Sequence, residues 1–173
     1  MSNNFNEHQS LDDILSSLTL SSITSTSNEN FTTLPAGYYK CEVVDAFLRK
    51  SKSDSSTSQA VFKLQVIGNG ITIDDDDNIV SVPGVNSLVI GKYSTLRDIR
   101  ATKNFISDML KFINSDGSSM FQPIEFSTHE KIEQALTKCI GKFIVINSTI
   151  SSSGSTWYSF VDWSTAIDLG IEY

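Results

Sequence analysis

The sequence predicts a mainly β domain with helical insertions: five strands in a Greek-key barrel, with one or two helices before the last hairpin. Three observations predict it. Residues 38–50 and 59–67 carry β-branched and aromatic residues alternating with polar ones, the period of half-buried strands. After residue 33, apolar residues spaced by threes and fours fall between the third strand and the last hairpin. Ser-, Gly- and Asn-rich segments separate the strands, and helices and strands do not alternate as a parallel α/β sheet requires.

The first 33 residues stand apart: 18 are Ser, Thr or Asn, four are acidic and none is basic. Such a segment cannot bury enough apolar surface to offset its ordering entropy, so residues 1–33 read as a disordered acidic tail before a domain spanning 34–173. Within it, Ser10-Leu-Asp-Asp13 resembles a capping box, and Leu11, Ile14, Leu15 and Leu18 fall at helical spacing. A short amphipathic helix over 10–18 is expected, docked on its own domain or offered to a groove of another protein.

Leu34-Pro35-Ala36-Gly37 ends the tail, and Tyr38 to Lys50 favours strand, with Tyr38 and Tyr39 expected in the core. The Ser-rich run from Lys50 to Ser58 reads as a mobile turn. From Gln59 to Ile67, Ala60, Phe62, Leu64 and Val66 take one face while Val61, Lys63 and Gln65 take the other. Gly68 to Gly84, with Asp74 to Asp77, reads as a solvated acidic loop; it lacks the glycine an EF-hand loop requires at its sixth position. A short strand is expected over Ser87 to Tyr93. Thr95 to Asn114 reads as a helix with a break near Ala101, and Ser127 to Lys138 as a second, capped by Ser127 or Thr128 and ended by Gly141. Lys142 to Ile150 and Trp157 to Trp163 make the last hairpin. Five strands with helices before the final pair suit an OB-like barrel better than a sandwich, which needs about seven.

Several function classes are disfavoured. No apolar run approaches the length of a membrane span, and no basic residue precedes Lys40 to start a signal peptide, so a cytoplasmic protein is expected. Cys41, Cys139, His8 and His129 match no zinc spacing, and Gly91-Lys92-Tyr93 is not a phosphate loop. No cofactor or metal is expected, and no catalytic set emerges, since His129 and Cys139 sit ten residues apart on one short helix.

The net charge of −7 is unevenly distributed. Residues 1–36 and Asp74 to Asp77 each carry −4 and the chain from 113 on another −4, whereas 37–67 carries +2 and 88–112 carries +3. Arg49, Lys50 and Lys52 cluster at the first turn, either as a solubilising loop or as a path for phosphates, and Lys63 follows on the next strand. Lys92 and Tyr93 precede the series Arg97, Arg100, Lys103. Trp157 and Tyr158 lie on opposite faces of the last strand, so one face must display a ring or cover a helix; a displayed ring is a stacking platform.

The segment Leu34-Pro-Ala-Gly-Tyr-Tyr-Lys-Cys-Glu-Val-Val44, the basic Ser-rich turn, the strand Ala60-Val-Phe-Lys-Leu-Gln-Val66, the central helix, and Leu136 to Phe143 with Gly141-Lys142 before a hairpin resemble the OB-fold single-stranded DNA-binding proteins of tailed bacteriophages. The likeness covers residues 34–163 and its motifs are short. It implies a non-enzymatic protein that coats single-stranded DNA in replication or recombination, in the host cytoplasm, with Arg49, Lys50, Lys52, Lys63, Lys92, Tyr93, Arg97, Arg100, Lys103, Trp157 and Tyr158 as DNA-binding candidates. Leu11, Ile14, Leu15 and Leu18 would then meet a replication, recombination or virion protein. Two features depart from the family: Asp168 to Tyr173 supplies only two acids where an acidic C-terminal tail is common, and Asp74 to Asp77 is an unusual insertion. The competing expectation is a virion structural or interaction protein that uses the barrel for docking and the N-terminal segment as a clip.

Overall fold

β-Branched and aromatic residues build seven antiparallel strands, and three short helices cover them, in a computed structural model that describes residues 33–84 and 88–172. The strands are β1 (Gly37–Lys50), β2 (Ser58–Val66), β3 (Gly70–Ile73), β4 (Ile79–Val82), β5 (Val89–Leu96), β6 (Phe143–Ile150) and β7 (Thr156–Phe160). The helices are α1 (Ile99–Met109), α2 (His129–Cys139) and α3 (Trp163–Asp168), with a 3-10 turn at Pro123–Phe126. The expected N-terminal helix, with Leu11, Ile14, Leu15 and Leu18, lies outside the described residues. Among the described residues no helix is long and apolar enough to cross a membrane.

β1 organises the sheet. Along one edge it pairs with β2 and, past the end of β2, with β3; along the other it pairs with β6. β2 continues to β5, β3 to β4 and β6 to β7, so one path through the longer strands runs β5-β2-β1-β6-β7. The sheet is open: among the described residues no backbone ladder joins β5 to β7. That seam is bridged by side chains instead. The Lys92 ammonium, from β5, stands 4.5 Å from the centroid of the Phe160 ring, from β7. Lys111, just past α1, donates to the Phe160 carbonyl at 2.7 Å.

The alternation expected in β2 is observed, with Ala60, Phe62, Leu64 and Val66 buried together. In β1 the alternation breaks. Val43 stands opposite Leu64 and Asp45 opposite Lys63, so Val44 is an extra residue, a bulge. Before it Tyr39, Cys41 and Val43 face the core; after it Ala46 and Leu48 do, and Asp45, Phe47 and Arg49 turn outward. The centre is aromatic: Phe62 meets Phe160 edge-on at 5.2 Å, Phe112 meets Phe160 at 5.4 Å, and Phe121 meets Phe126 at 5.7 Å. Each such buried ring contributes roughly 1.5–3 kcal/mol by transfer from water. Tyr39 is enclosed and donates to the Pro35 carbonyl at 3.1 Å; a Cβ on Gly70 would overlap its ring, which is why that strand position holds glycine. Tyr38 packs instead on a smaller cluster of Val145, Val161 and Ala166 beneath α3.

Four expected boundaries are corrected. Residues 68–84 are not a plain loop, because Gly70–Ile73 and Ile79–Val82 pair as β3 and β4. Asp74 closes their turn by accepting the backbone N–H of Asn78 and Asp76 at 2.8 and 3.0 Å, and these bonds lower its pKa. The central helix starts after Asp98, whose side chain accepts the Ala101 N–H at 2.7 Å, because Thr95 and Leu96 are held in the β2 ladder. It ends at Met109, and residues 110–114 turn back instead of extending it. The last strand stops at Phe160, since Asp162 caps α3 and draws Trp163 into a helix.

Candidate nucleic-acid interface

The bulge at Val44 assembles this surface. By rotating the second half of β1, it puts Asp45, Phe47 and Arg49 on the outer face with Gln59, Val61 and Lys63 of β2 and Gly91, Tyr93 and Thr95 of β5. Three cross-strand rows result: Asp45-Lys63-Gly91, Phe47-Val61-Tyr93 and Arg49-Gln59-Thr95. Tyr93 is 55% exposed, and its ring lies along the strand over Gly91, where a Cβ would stand 2.6 Å from the phenol oxygen. Val61 is buried on this outer face.

Arg49 is oriented from two sides. Its Nε and Nη2 donate to the Gln59 carboxamide oxygen at 3.0 and 2.8 Å, and its guanidinium carbon stands 5.2 Å from the Tyr93 ring centroid. The Gln59 amide donates in turn to Thr95 Oγ1 at 3.4 Å, so one row positions the cation beside the ring. Lys63 sits 3.0 Å from the Asp45 carboxylate and 5.5 Å from the Phe47 ring centroid. The face therefore offers two aromatic rings, each with a cation, on strands that fix their spacing.

The turn from β1 to β2 is a tied loop. Asp54 accepts from the Ser56 N–H, the Ser56 hydroxyl and the Thr57 hydroxyl at 2.9, 2.6 and 2.6 Å. The Ser56 and Thr57 hydroxyls hold its carboxyl at about 2. Ser51 is buried and its N–H donates to the Thr57 carbonyl. Lys50 and Lys52 project from this frame, exposed. Lys50, Ser58 and Leu96 share a row, so the loop and the start of the Arg97, Arg100, Lys103 series lie at the same end of the sheet. Arg97 is 3.4 Å from Asp98; Arg100 and Lys103, three residues apart on α1, are exposed and form no ion pair among the described residues.

Other expected residues are elsewhere. Lys92 is withdrawn from the surface: 7% exposed, it faces inward opposite Phe62, 2.7 Å from Asp108 and 3.3 Å from Ser94 Oγ. Tyr158 packs against the core, and burial pushes its pKa up against a hydrogen bond with the Leu34 backbone. Trp157 is 66% exposed but pairs with Thr149 at the tip of the β6-β7 hairpin, at the other end of the strand path from Tyr93. Cys139 donates to the Ala135 carbonyl, and burial pushes its thiol up to about 12, while the exposed His129 lies 3.4 Å from Glu133. Cys41 is likewise pushed up to about 12 by burial.

Phe47, Gln59 and Gly91 are members of the face that sequence reasoning missed. Unbroken alternation from Tyr39 puts Phe47 inside, and only the bulge turns it out. A glycine two residues before an aromatic residue in a strand was the available signal for Gly91. No family model matches the chain, and no curated protein matches it.

Proposed function

We propose that this chain is a single-stranded DNA-binding protein without sequence preference, and that the Arg49-Tyr93-Phe47-Lys63 face is where the strand lies. The carrying observation is an exposed tyrosine whose ring lies over a glycine, with an oriented arginine against it, on a sheet surface flanked by exposed basic residues. Rings of this kind stack on bases of any identity, each stack contributing roughly 1–3 kcal/mol, and the flanking cations follow the phosphates. Lys50, Lys52, Arg97, Arg100 and Lys103 supply those cations at one end of the face.

An OB-like reading of the fold supports this. The path β5-β2-β1-β6-β7 has four of the five pairings such a barrel needs, and the fifth, β5 to β7, would fall where Lys92 and Lys111 reach Phe160. The resemblance to phage proteins of this kind agrees with that order. The acidic β3-β4 turn is a departure, and its charge keeps a phosphate path away from that hairpin.

The test is a titration of labelled oligo-dT, oligo-U and duplex DNA by fluorescence anisotropy across a range of salt. The expected outcome is binding to single strands over duplex, with a log-log salt slope of roughly −2 to −4, about −0.7 per phosphate neutralised. A slope near zero, or a preference for duplex, overturns the proposal.

A further inference from the structure

A recessed surface lies outside the stacking face. Three segments converge on a cleft of about 410 Å³: Ile113, Asn114 and Ser115 after α1, Gly141, Lys142 and Phe143 at the start of β6, and Trp163 at the start of α3. The backbone explains why the three meet. Val43 N–H donates to the Lys142 carbonyl and Gly141 N–H to the Val43 carbonyl, which clamps the α2-β6 turn to β1. The chain turns at Gly141 with φ +77 and leaves no side chain there. Near it, Gly117 turns the backbone at φ +81 beside the Trp163 indole.

The lining is a recognition set rather than a patch of one character. Two aromatic residues contribute, Trp163 and the 41% exposed Phe143, whose ring has the Lys40 ammonium 4.9 Å from its centroid. Lys142 supplies an exposed cation, and Asn114 and Ser115 supply polar groups. Asn114 is oriented through its amide, which donates to Ser118 Oγ at 3.1 Å, leaving its carboxamide oxygen as an acceptor. A volume of this size is in the range of small-ligand sites, roughly 300–1,000 Å³, which are mostly apolar and aromatic with a few placed polar groups. Flat rings, an amide and a cation together fit a planar heterocycle that bears a phosphate.

We propose that this cleft holds one nucleotide of a bound single strand, its base against Trp163 and Phe143 and its phosphate at Lys142. This rests on the single-strand reading above and extends it: the chain engages the strand at two separate places, a sheet face and a recessed pocket.

Trp163 reports on the cleft directly, because the chain has two tryptophans and Trp157→Phe leaves it alone. In that variant, dTMP titrated to millimolar concentration should quench the remaining fluorescence saturably, and oligo-dT should quench it at lower concentration. Lys142→Ala and Asn114→Ala, each added to Trp157→Phe, should weaken the dTMP response at least fivefold, Lys142→Ala with unchanged melting temperature and Asn114→Ala with the loss of its turn bonds to Ser118 and Ser119 as well. A Trp163 signal that is silent to both ligands, or a response that Lys142→Ala and Asn114→Ala leave unchanged, overturns the inference. Anisotropy of labelled oligo-dT in the same samples separates the two claims. Binding of the oligonucleotide with Trp163 silent removes the cleft and leaves the face. Absence of any binding removes the single-strand reading and the cleft with it.

Discussion

Replacing Asp108 by alanine should be among the most damaging changes of a charged residue in this fold. The carboxylate is 20% exposed and serves two cations at once, Lys92 at 2.7 Å and Lys111 at 3.1 Å. Without it the Lys92 ammonium stays in the interior, 7% exposed, with the Ser94 hydroxyl at 3.3 Å and the Phe160 ring at 4.5 Å. Removing one partner of a buried pair costs roughly 3–5 kcal/mol, because a buried charge is left uncompensated. Lys111 is a quarter exposed and keeps the Phe160 carbonyl, so the lower end applies, about 3 kcal/mol. At roughly 2–4 °C per kcal/mol the melting temperature should fall by about 10 °C, measured by circular dichroism with urea titration alongside. Lys92→Met is the control: it removes the buried cation while Lys111 still faces Asp108, and should cost about 1 kcal/mol. If Asp108→Ala costs less than about 1 kcal/mol, or no more than Lys92→Met, the ionic seam is not what holds α1 between β5 and β7.

Replacing Arg49, Lys50 and Lys52 together by alanine should weaken oligo-dT binding and reduce the salt slope by about 2, roughly 0.7 per cation, with a melting temperature within a few degrees of the parent. Anisotropy across a salt series measures it. Gly91→Ala puts a methyl group where the Tyr93 ring lies, and the exposed ring can swing away. Oligo-dT affinity should then fall about tenfold, equivalent to roughly 1.4 kcal/mol of lost stacking, while chemical denaturation shows less than about 1 kcal/mol of change. Asp162 caps α3 through the Thr165 N–H and is held at about 2 against an ordinary 3.8, chiefly by the Ser164 hydroxyl. Because the folded value is the lower one, its contribution is complete above the ordinary value and is lost as pH falls from about 4 to 2. Asp162→Asn keeps a capping oxygen but cannot titrate, so denaturation at stepped pH should show a shallower loss of stability over that window.

The parts of the fold visible in the sequence are those governed by one local rule. β2 alternates without interruption, so the inward set of Ala60, Phe62, Leu64 and Val66 could be read directly. Thr128 and Gly141 bracket α2 as a cap and a left-handed stop. The misread parts are those where a partner decides. Thr95 and Leu96 continue the apolar spacing of α1, but their backbone groups are already taken by Gln59 and Ser58. The β3-β4 hairpin has four-residue strands, too short for alternation to stand out from a polar loop. At the candidate face, Arg49 and Tyr93 were readable as a cation and a ring near a turn. Their contact was not, because it depends on an extra residue at Val44 that shifts the register by one and that only the β2 pairing reveals.

Lys92 and Tyr93 show how the interior and the candidate face constrain each other. They are consecutive residues of one strand, so whatever fixes the direction of one fixes the direction of the other. The Tyr93 side is weakly specified, since an exposed ring on an open face costs little to turn inward and a one-residue slip of β5 would exchange the two faces. The Lys92 side specifies strongly. Its ammonium meets a carboxylate, a hydroxyl and a ring face in one place, and a slipped β5 would set Tyr93 in place of Lys92 against Asp108, exchanging the shorter of that carboxylate's two ion pairs for a phenol ring and leaving it with Lys111. A hydrophobic residue at 92 would pack against Phe62 and Phe160 at least as well, yet would tolerate the slipped register more readily. The ion pair thus contributes discrimination between registers more than net stability. It predicts that Lys92→Met, even where it melts close to the parent, lets the Tyr93 ring signal broaden in NMR spectra, and that an unbroadened ring in that variant would show the register to be set by the β2 ladder alone.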